Sequence, residues 1–95
     1  MQKQFCVYIM SNKNNTTLYT GMTSDLRKRA FQHRNKQLKG FSALYNTTKL
    51  VYFEVLEDPW NAIRREKQIK AGSRQKKVDL INAFNPEWRD LYDEL

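Results

Sequence analysis

The chain has 95 residues, 40% of them apolar and 13% aromatic, a formal net charge of +7 and an isoelectric point near 9.7. That length suits a single domain over residues 1–95, with a core that needs no disulfide or metal staple. No apolar run approaches the ~20 residues of a membrane-spanning helix. Cys6 is the only cysteine and lies in a strand-like segment, which reads as a small buried hydrophobe, and Met1-Gln2-Lys3-Gln4 leads straight into that segment. These features predict a reduced, cytoplasmic chain without a signal peptide or disulfide framework.

In chain order, residues 5–10 and 17–21 read as strands, and the polar run Ser11-Asn12-Lys13-Asn14-Asn15-Thr16 between them reads as a turn. With Met10 opposite Thr17 across that turn, the antiparallel register sets Ile9 against Leu18 and Tyr8 directly against Tyr19, both phenols on one face. Thr23-Ser24-Asp25 supplies N-cap residues for a helix running to about His33 or Arg34. The segment 35–48 is polar and punctuated by Gly40, and it predicts a short helix within a loop around Phe41, Leu44 and Tyr45. Leu50-Val51-Tyr52-Phe53-Glu54-Val55-Leu56 is the third strand. Asp58 and Pro59 open a helix that reaches about Lys70, and Ala71-Gly72-Ser73 stops it. A last helix spans about Arg74 to Phe84, ended by Asn85-Pro86, with a tail anchored by Trp88, Leu91 and Tyr92. The strands are apolar on both faces, so helices should cover both sides of the sheet. The expected fold is α/β: a small, mainly antiparallel three-stranded sheet flanked by helices.

The charge is concentrated. Residues 26–40 carry six Lys or Arg and no acid, residues 59–77 carry seven and one acid, Glu66, while residues 78–95 carry five acids and one Arg. Charge runs of this kind can be solvated helix faces, but clustering without interleaved acids favours a polyanion partner, most simply nucleic acid.

Helical geometry sharpens two elements. At about 100° per residue, Leu26, Ala30 and His33 share an arc about 60° wide, with Arg29 at its edge. Arg29 can snorkel along its neighbours and His33 can be a satisfied core residue, or both can be aimed at the tyrosine pair. On the helix after Pro59, Glu66 falls at the centre of the arc formed by Ala62, Ile63 and Ile69, with Arg64, Arg65 and Gln68 on the far side. An i,i+4 pair with Lys70 would explain a solvated Glu66. A carboxylate at the middle of an apolar face needs a stronger partner, because an unpaired buried charge costs several kcal/mol, and a hard cation such as Mg²⁺ or a nearby arginine would serve.

These segments resemble the GIY-YIG nucleases, in particular the small single-domain bacterial members related to the nuclease domain of the excision-repair endonuclease, and the resemblance covers nearly the whole chain. Cys6-Val7-Tyr8 stands at the first motif and Tyr19-Thr20-Gly21 at the second. Gly21-Met22-Thr23-Ser24-Asp25-Leu26-Arg27-Lys28-Arg29 follows, its last arginine ten residues past Tyr19 as in the family. Arg65-Glu66-Lys67-Gln68-Ile69-Lys70 is similar to the segment carrying the metal-ligating glutamate. The resemblance implies a catalytic set of Tyr8, Tyr19, Arg29 and Glu66, with Glu66 holding Mg²⁺ or Mn²⁺. His33 matches a histidine of some members, and Asn85 is a weaker match to an asparagine that some add. Cys6 and Val7 replace the first-motif Gly and Ile at positions that mainly pack a strand.

The expectation is a divalent-metal-dependent DNA endonuclease of low sequence specificity, possible substrates being duplex, branched or single-stranded DNA. Arg27, Lys28, Arg34, Lys36, Lys70, Arg74, Lys76 and Lys77 would contact backbone phosphates. The alternatives are a non-catalytic nucleic-acid-binding module of the same fold and a protein-interaction domain. The latter leaves the inward Glu66 and the paired tyrosines unexplained.

Overall fold

A computed structural model describes residues 4–95, so Met1, Gln2 and Lys3 lie outside the described residues. The order of elements is β1 (Phe5–Ser11), β2 (Leu18–Thr23), α1 (Leu26–Arg34), α2 (Phe41–Leu44), β3 (Lys49–Leu56), α3 (Pro59–Ala71) and α4 (Arg74–Phe84), followed by a 3-10 turn at Leu91–Glu94. The strands form an antiparallel sheet in the order β2-β1-β3. The expected α/β architecture is therefore what the chain adopts; the closing 3-10 turn is the one element the sequence reading lacked.

Central β1 is buried on both faces, as its unbroken apolar run requires. One face carries Cys6, Tyr8 and Met10, packed with Leu26 and Ala30 of α1, Leu50 and Leu91. Val7 and Ile9 on the other face pack with Val51, Tyr52, Ala62 and Ile69 of α3 and Ile81 of α4. The side chains of Asp25, Asp58 and Ser73 cap α1, α3 and α4 by accepting from the amides of Lys28, Trp60 and Lys76. Pro59 sits at the start of α3, where its missing N–H costs nothing.

After α4 the chain crosses beside β3. Asn85 donates to the Val51 carbonyl, and the Asp90 carboxylate accepts from the Leu50 amide. The crossing occupies backbone groups of an edge strand that would otherwise invite pairing, and it carries Leu91, Tyr92 and Leu95 onto the Tyr8 face.

The hairpin register differs from expectation by two residues. Ser11 pairs with Leu18, Met10 with Tyr19 and Tyr8 with Gly21. The cause is Asn12, whose side-chain carbonyl accepts from the amides of both Thr16 and Thr17, drawing those residues into the loop, with Asn15 left-handed at φ 59°. A shift by an even number keeps every side chain on its face, so Tyr8 and Tyr19 still share one but stand diagonally.

Candidate active site

Gly21 explains the diagonal arrangement. A Cβ on it would lie 2.4 Å from the Tyr8 hydroxyl oxygen and 2.6 Å from Cζ, so the bare backbone of β2 is the floor on which the phenol rests. Tyr8 is fully buried, at 0% exposure. Its ring centroid lies 6.4 Å from that of Tyr19 and 5.5 Å from His33, with Tyr19 and His33 5.1 Å apart.

From the hydroxyl a chain of hydrogen bonds runs inward. The Tyr8 hydroxyl and His33 Nε2 are 2.8 Å apart, and His33 Nδ1 is 2.6 Å from Ser42 Oγ. At the far end Ser42 Oγ and Thr47 Oγ1 are 2.5 Å apart, so one hydroxyl donates to the other; with Ser42 Oγ donating to Thr47 Oγ1, the Thr47 proton goes to the Ser42 carbonyl, which can only accept. In that arrangement Ser42 Oγ accepts from Nδ1–H and His33 Nε2 accepts from the Tyr8 phenol. Burial and the neighbouring Arg29 charge push His33 down to about 4, so the imidazole is neutral near pH 7. Burial, then Tyr19 and Glu66, push Tyr8 up to about 12 against the opposing influence of Arg29, so the phenol holds its proton. A phenol acidified by nearby cations, one route to a base, is not the resting state.

Arg29 lies half-buried on α1 with its guanidinium against the Tyr8 phenol and no carboxylate partner among the described residues. An unpaired, half-buried arginine is an anion site in waiting. Glu66 comes from α3, near enough for its charge to act on Tyr8. Its side chain is 22% exposed and its partner is Lys70, at 3.0 Å. The covered stripe of α3 is Ala62, Arg65, Glu66 and Ile69, while Ile63 is exposed. The stripe is thus rotated toward Arg65, contrary to the expected arc, because Arg65 reaches across β3 to grip the Glu54 carboxylate through Nε and Nη2 at 2.8–3.1 Å. Tyr52 also donates to Glu54.

Tyr19, Arg29 and His33 therefore stand beside the Tyr8 phenol, and Glu66 acts on it through its charge. Asn85 is not among them, its amide group being spent on the Val51 and Arg89 backbone. Sequence reasoning missed Ser42 and Thr47; the signal was a lone serine beside Phe41 in a short turn otherwise apolar. Of the eight basic residues expected at phosphates, Lys28, Lys36 and Lys76 have side chains free of protein partners among the described residues. Arg27 donates to the Leu95 carbonyl, Arg34 stacks over Tyr92 and pairs with Asp93, and Lys70 pairs with Glu66. Arg74 clasps the Asn15 and Thr16 carbonyls of the hairpin, and Lys77 caps α3 at the Gly72 carbonyl.

No cluster of three His, Cys, Asp or Glu able to hold a metal occurs among the described residues. The protein's share of any divalent site would be the Glu66 carboxylate alone. That fits a hard cation such as Mg²⁺, which keeps several waters and takes its remaining oxygens from a substrate phosphate.

A three-stranded antiparallel sheet with two tyrosines on one face, an arginine on the following helix and a glutamate on the helix after β3 is the arrangement that the resemblance to the nuclease family implied. The chain belongs to the GIY-YIG catalytic domain family, whose profile matches residues 4–79. It is 38% identical over 82 residues to a UPF0213 protein of Staphylococcus saprophyticus, covering 86% of this chain and 98% of that one. It is 42% identical over 85 residues to a UPF0213 protein of Autographa californica nuclear polyhedrosis virus, covering 85% and 79% respectively. The solution structure of a UPF0213 protein from Bacillus halodurans has the same fold, with TM-score 0.59 at 25% identity and 92% of each chain covered. The family is one of nucleases, its substrate class is nucleic acid, and its members generally use divalent metals.

Proposed function

We propose that this chain is a divalent-metal-dependent DNA endonuclease of low sequence specificity, acting on branched, damaged or single-stranded DNA in a repair setting. The observation that carries the reading is Arg29: a half-buried guanidinium without an acidic partner among the described residues, beside the Tyr8 phenol on which the Glu66 charge also acts. A scissile phosphate meets that need, its non-bridging oxygens accepting from Arg29.

Glu66 would hold the metal, which when bound supplies positive charge for the departing 3′-oxygen. Lys70 would then exchange its carboxylate partner for a backbone phosphate. Phosphate at Arg29 draws the guanidinium away from Tyr8 and uncovers the buried hydroxyl for the attacking water. As the water oxygen bonds to phosphorus, its proton passes to Tyr8 Oη while the Tyr8 proton moves to His33 Nε2. The Tyr8–His33 pair thus does what a phenol near 12 cannot do by itself. Neutralising Arg29 also removes one of the two causes that depress His33, which eases that transfer. Tyr19, half-buried beside them, orients the water or the phosphate.

Low specificity is the expectation for basic side chains that bind backbone phosphates, contacts that carry no sequence information. Cys6 is a buried free thiol, raised by burial and therefore inert, which suits a reducing cytoplasm. No helix among the described residues is long and apolar enough to cross a membrane.

The test is incubation of the pure protein with supercoiled, single-stranded circular and branched DNA, with Mg²⁺, Mn²⁺ or chelator. Metal-dependent nicking or cutting is expected. Salt-sensitive binding without cleavage under either metal would replace the nuclease by a nucleic-acid-binding module.

A further inference from the structure

The Tyr8 face carries an aromatic surface that the proposed chemistry does not use. The Phe41 ring lies 28° from parallel with Tyr19 at 6.2 Å between centroids, and Tyr45 lies 4.6 Å beyond Phe41. Both rings are 48% exposed. An aromatic pair one helical turn apart can stabilise a helix locally by a few tenths of a kcal/mol, but α2 has only four residues and leaves large apolar surface in water. Its neighbour Leu44 is 72% exposed as well. Adjacent exposed aromatics of this kind mark a binding surface.

Two further features say what covers it. Charge is the first: from Leu26 to Phe53 there is no Asp or Glu, while Lys36 and Lys39 lie in the loop leading to Phe41. The occupant is polyanionic. The second is rigidity. Gly40 before α2 has φ 102°, Asn46 after it has φ 58°, and Lys36 has φ 54°, so left-handed residues set the path of the turn on both sides. Ser42 on the inner side is held by His33 and Thr47. The turn is thus pinned from beneath while Phe41 and Tyr45 present their rings outward, a platform ordered before anything binds.

We propose that Phe41 and Tyr45 form a stacking ledge for unpaired bases of single-stranded DNA next to the phosphate held at Arg29. This rests on the nuclease reading above and narrows its substrate to DNA with unpaired nucleotides at the cleavage point. Rings continuous with Tyr19 stack on a base only where it is free of a partner strand, whereas in a duplex the base faces are covered by their neighbours. The same turn supplies Ser42 to His33, so the surface that accepts the base and the group that accepts the proton share one support.

The experiment measures binding in chelator by fluorescence anisotropy, using a labelled mixed-sequence DNA 20-mer as a single strand, as a blunt duplex, and as a single strand with a run of tetrahydrofuran abasic sites. The protein variants are F41L/Y45L, which keeps apolar bulk on the turn, and Phe41→Trp, which keeps a stacking ring. F41L/Y45L should weaken single-strand binding roughly tenfold to hundredfold and shift its ratio to duplex binding by a similar factor. The abasic strand should bind wild type as weakly as the intact strand binds F41L/Y45L, with little further loss when both changes are combined, since each removes one side of the same contact. Phe41→Trp should bind the intact single strand at least as tightly as wild type. Equal losses on single strand and duplex, or losses that simply multiply in the combined case, would overturn the ledge and leave the nuclease reading standing. Failure of wild type to bind any of the three probes at low salt would bring down both.

Discussion

The contact between Gly21 and Tyr8 is the most quantitative hinge of the site, and Gly21→Ala perturbs it with a single methyl group. That Cβ would sit 2.4 Å from the hydroxyl oxygen, 2.6 Å from Cζ and 3.0 Å from Cε1 of Tyr8. The ring has no room to yield, being fully buried and tied to His33 at 2.8 Å. Overpacking of this kind costs about 1–3 kcal/mol, while alanine gains about 0.4–1 kcal/mol by stiffening the unfolded chain. The net loss of about 1–2 kcal/mol corresponds, for a domain of this size, to a fall in Tm of roughly 5–15 °C. Displacing the ring also breaks the Tyr8–His33 bond, so single-turnover cleavage should fall by about 10²-fold or more. Adding Tyr8→Phe removes the nearest atom but leaves Cζ in place, so the double variant should recover part of the Tm and none of the activity. Circular-dichroism melts and single-turnover assays on the three proteins decide the matter. A Gly21→Ala protein melting within about 2 °C of wild type and cutting normally would refute the close-packed floor.

Glu66→Gln should abolish metal-stimulated cleavage and leave DNA affinity in chelator nearly unchanged; undiminished cutting would remove Glu66 from the site. Tyr8→Phe should lower single-turnover cleavage by about 10²–10⁴-fold and Arg29→Ala by about 10²–10³-fold. The double variant should fall short of the product, as groups acting together do, and strictly multiplicative losses would place Arg29 outside the chemistry. His33 falls from an ordinary value near 6.5 in the unfolded chain to about 4 in the folded one. Between those values the unfolded state binds the extra proton, so the contribution of neutral His33 is full above about pH 6.5 and is lost as pH drops toward 4, by at most about 3 kcal/mol. Urea unfolding at pH 7.5 and 4.5 should show wild type losing more stability on acidification than His33→Gln, and equal losses would contradict a neutral buried imidazole.

Local rules in the chain were enough for much of this protein. Asp25, and Asp58 with Pro59, mark helix starts because capping needs only a side chain within three residues. The unbroken apolar run of β1 requires cover on both faces, and helices supply it. The family resemblance, with its ten-residue step from Tyr19 to Arg29, and the lone acid of the second basic stretch nominated Arg29 and Glu66, whose charges both act on Tyr8. What local rules could not supply depends on contacts between distant segments. The hairpin register was set by Asn12 taking two amides of the loop, a choice that pairing preferences do not contain. The face of α3 was set by Glu54, eleven residues before Arg65 and on another element. Whether Tyr8 is acidified or held neutral was settled by burial outweighing Arg29, a balance that exists only once the sheet and α1 have closed over the phenol. Ser42 became the support of His33 because folding brings a turn nine residues downstream beneath the imidazole. Desolvation and such long-range hydrogen bonds are properties of the packed molecule, and for that reason the chain could nominate candidate residues while their protonation and mutual support belong to the packed molecule.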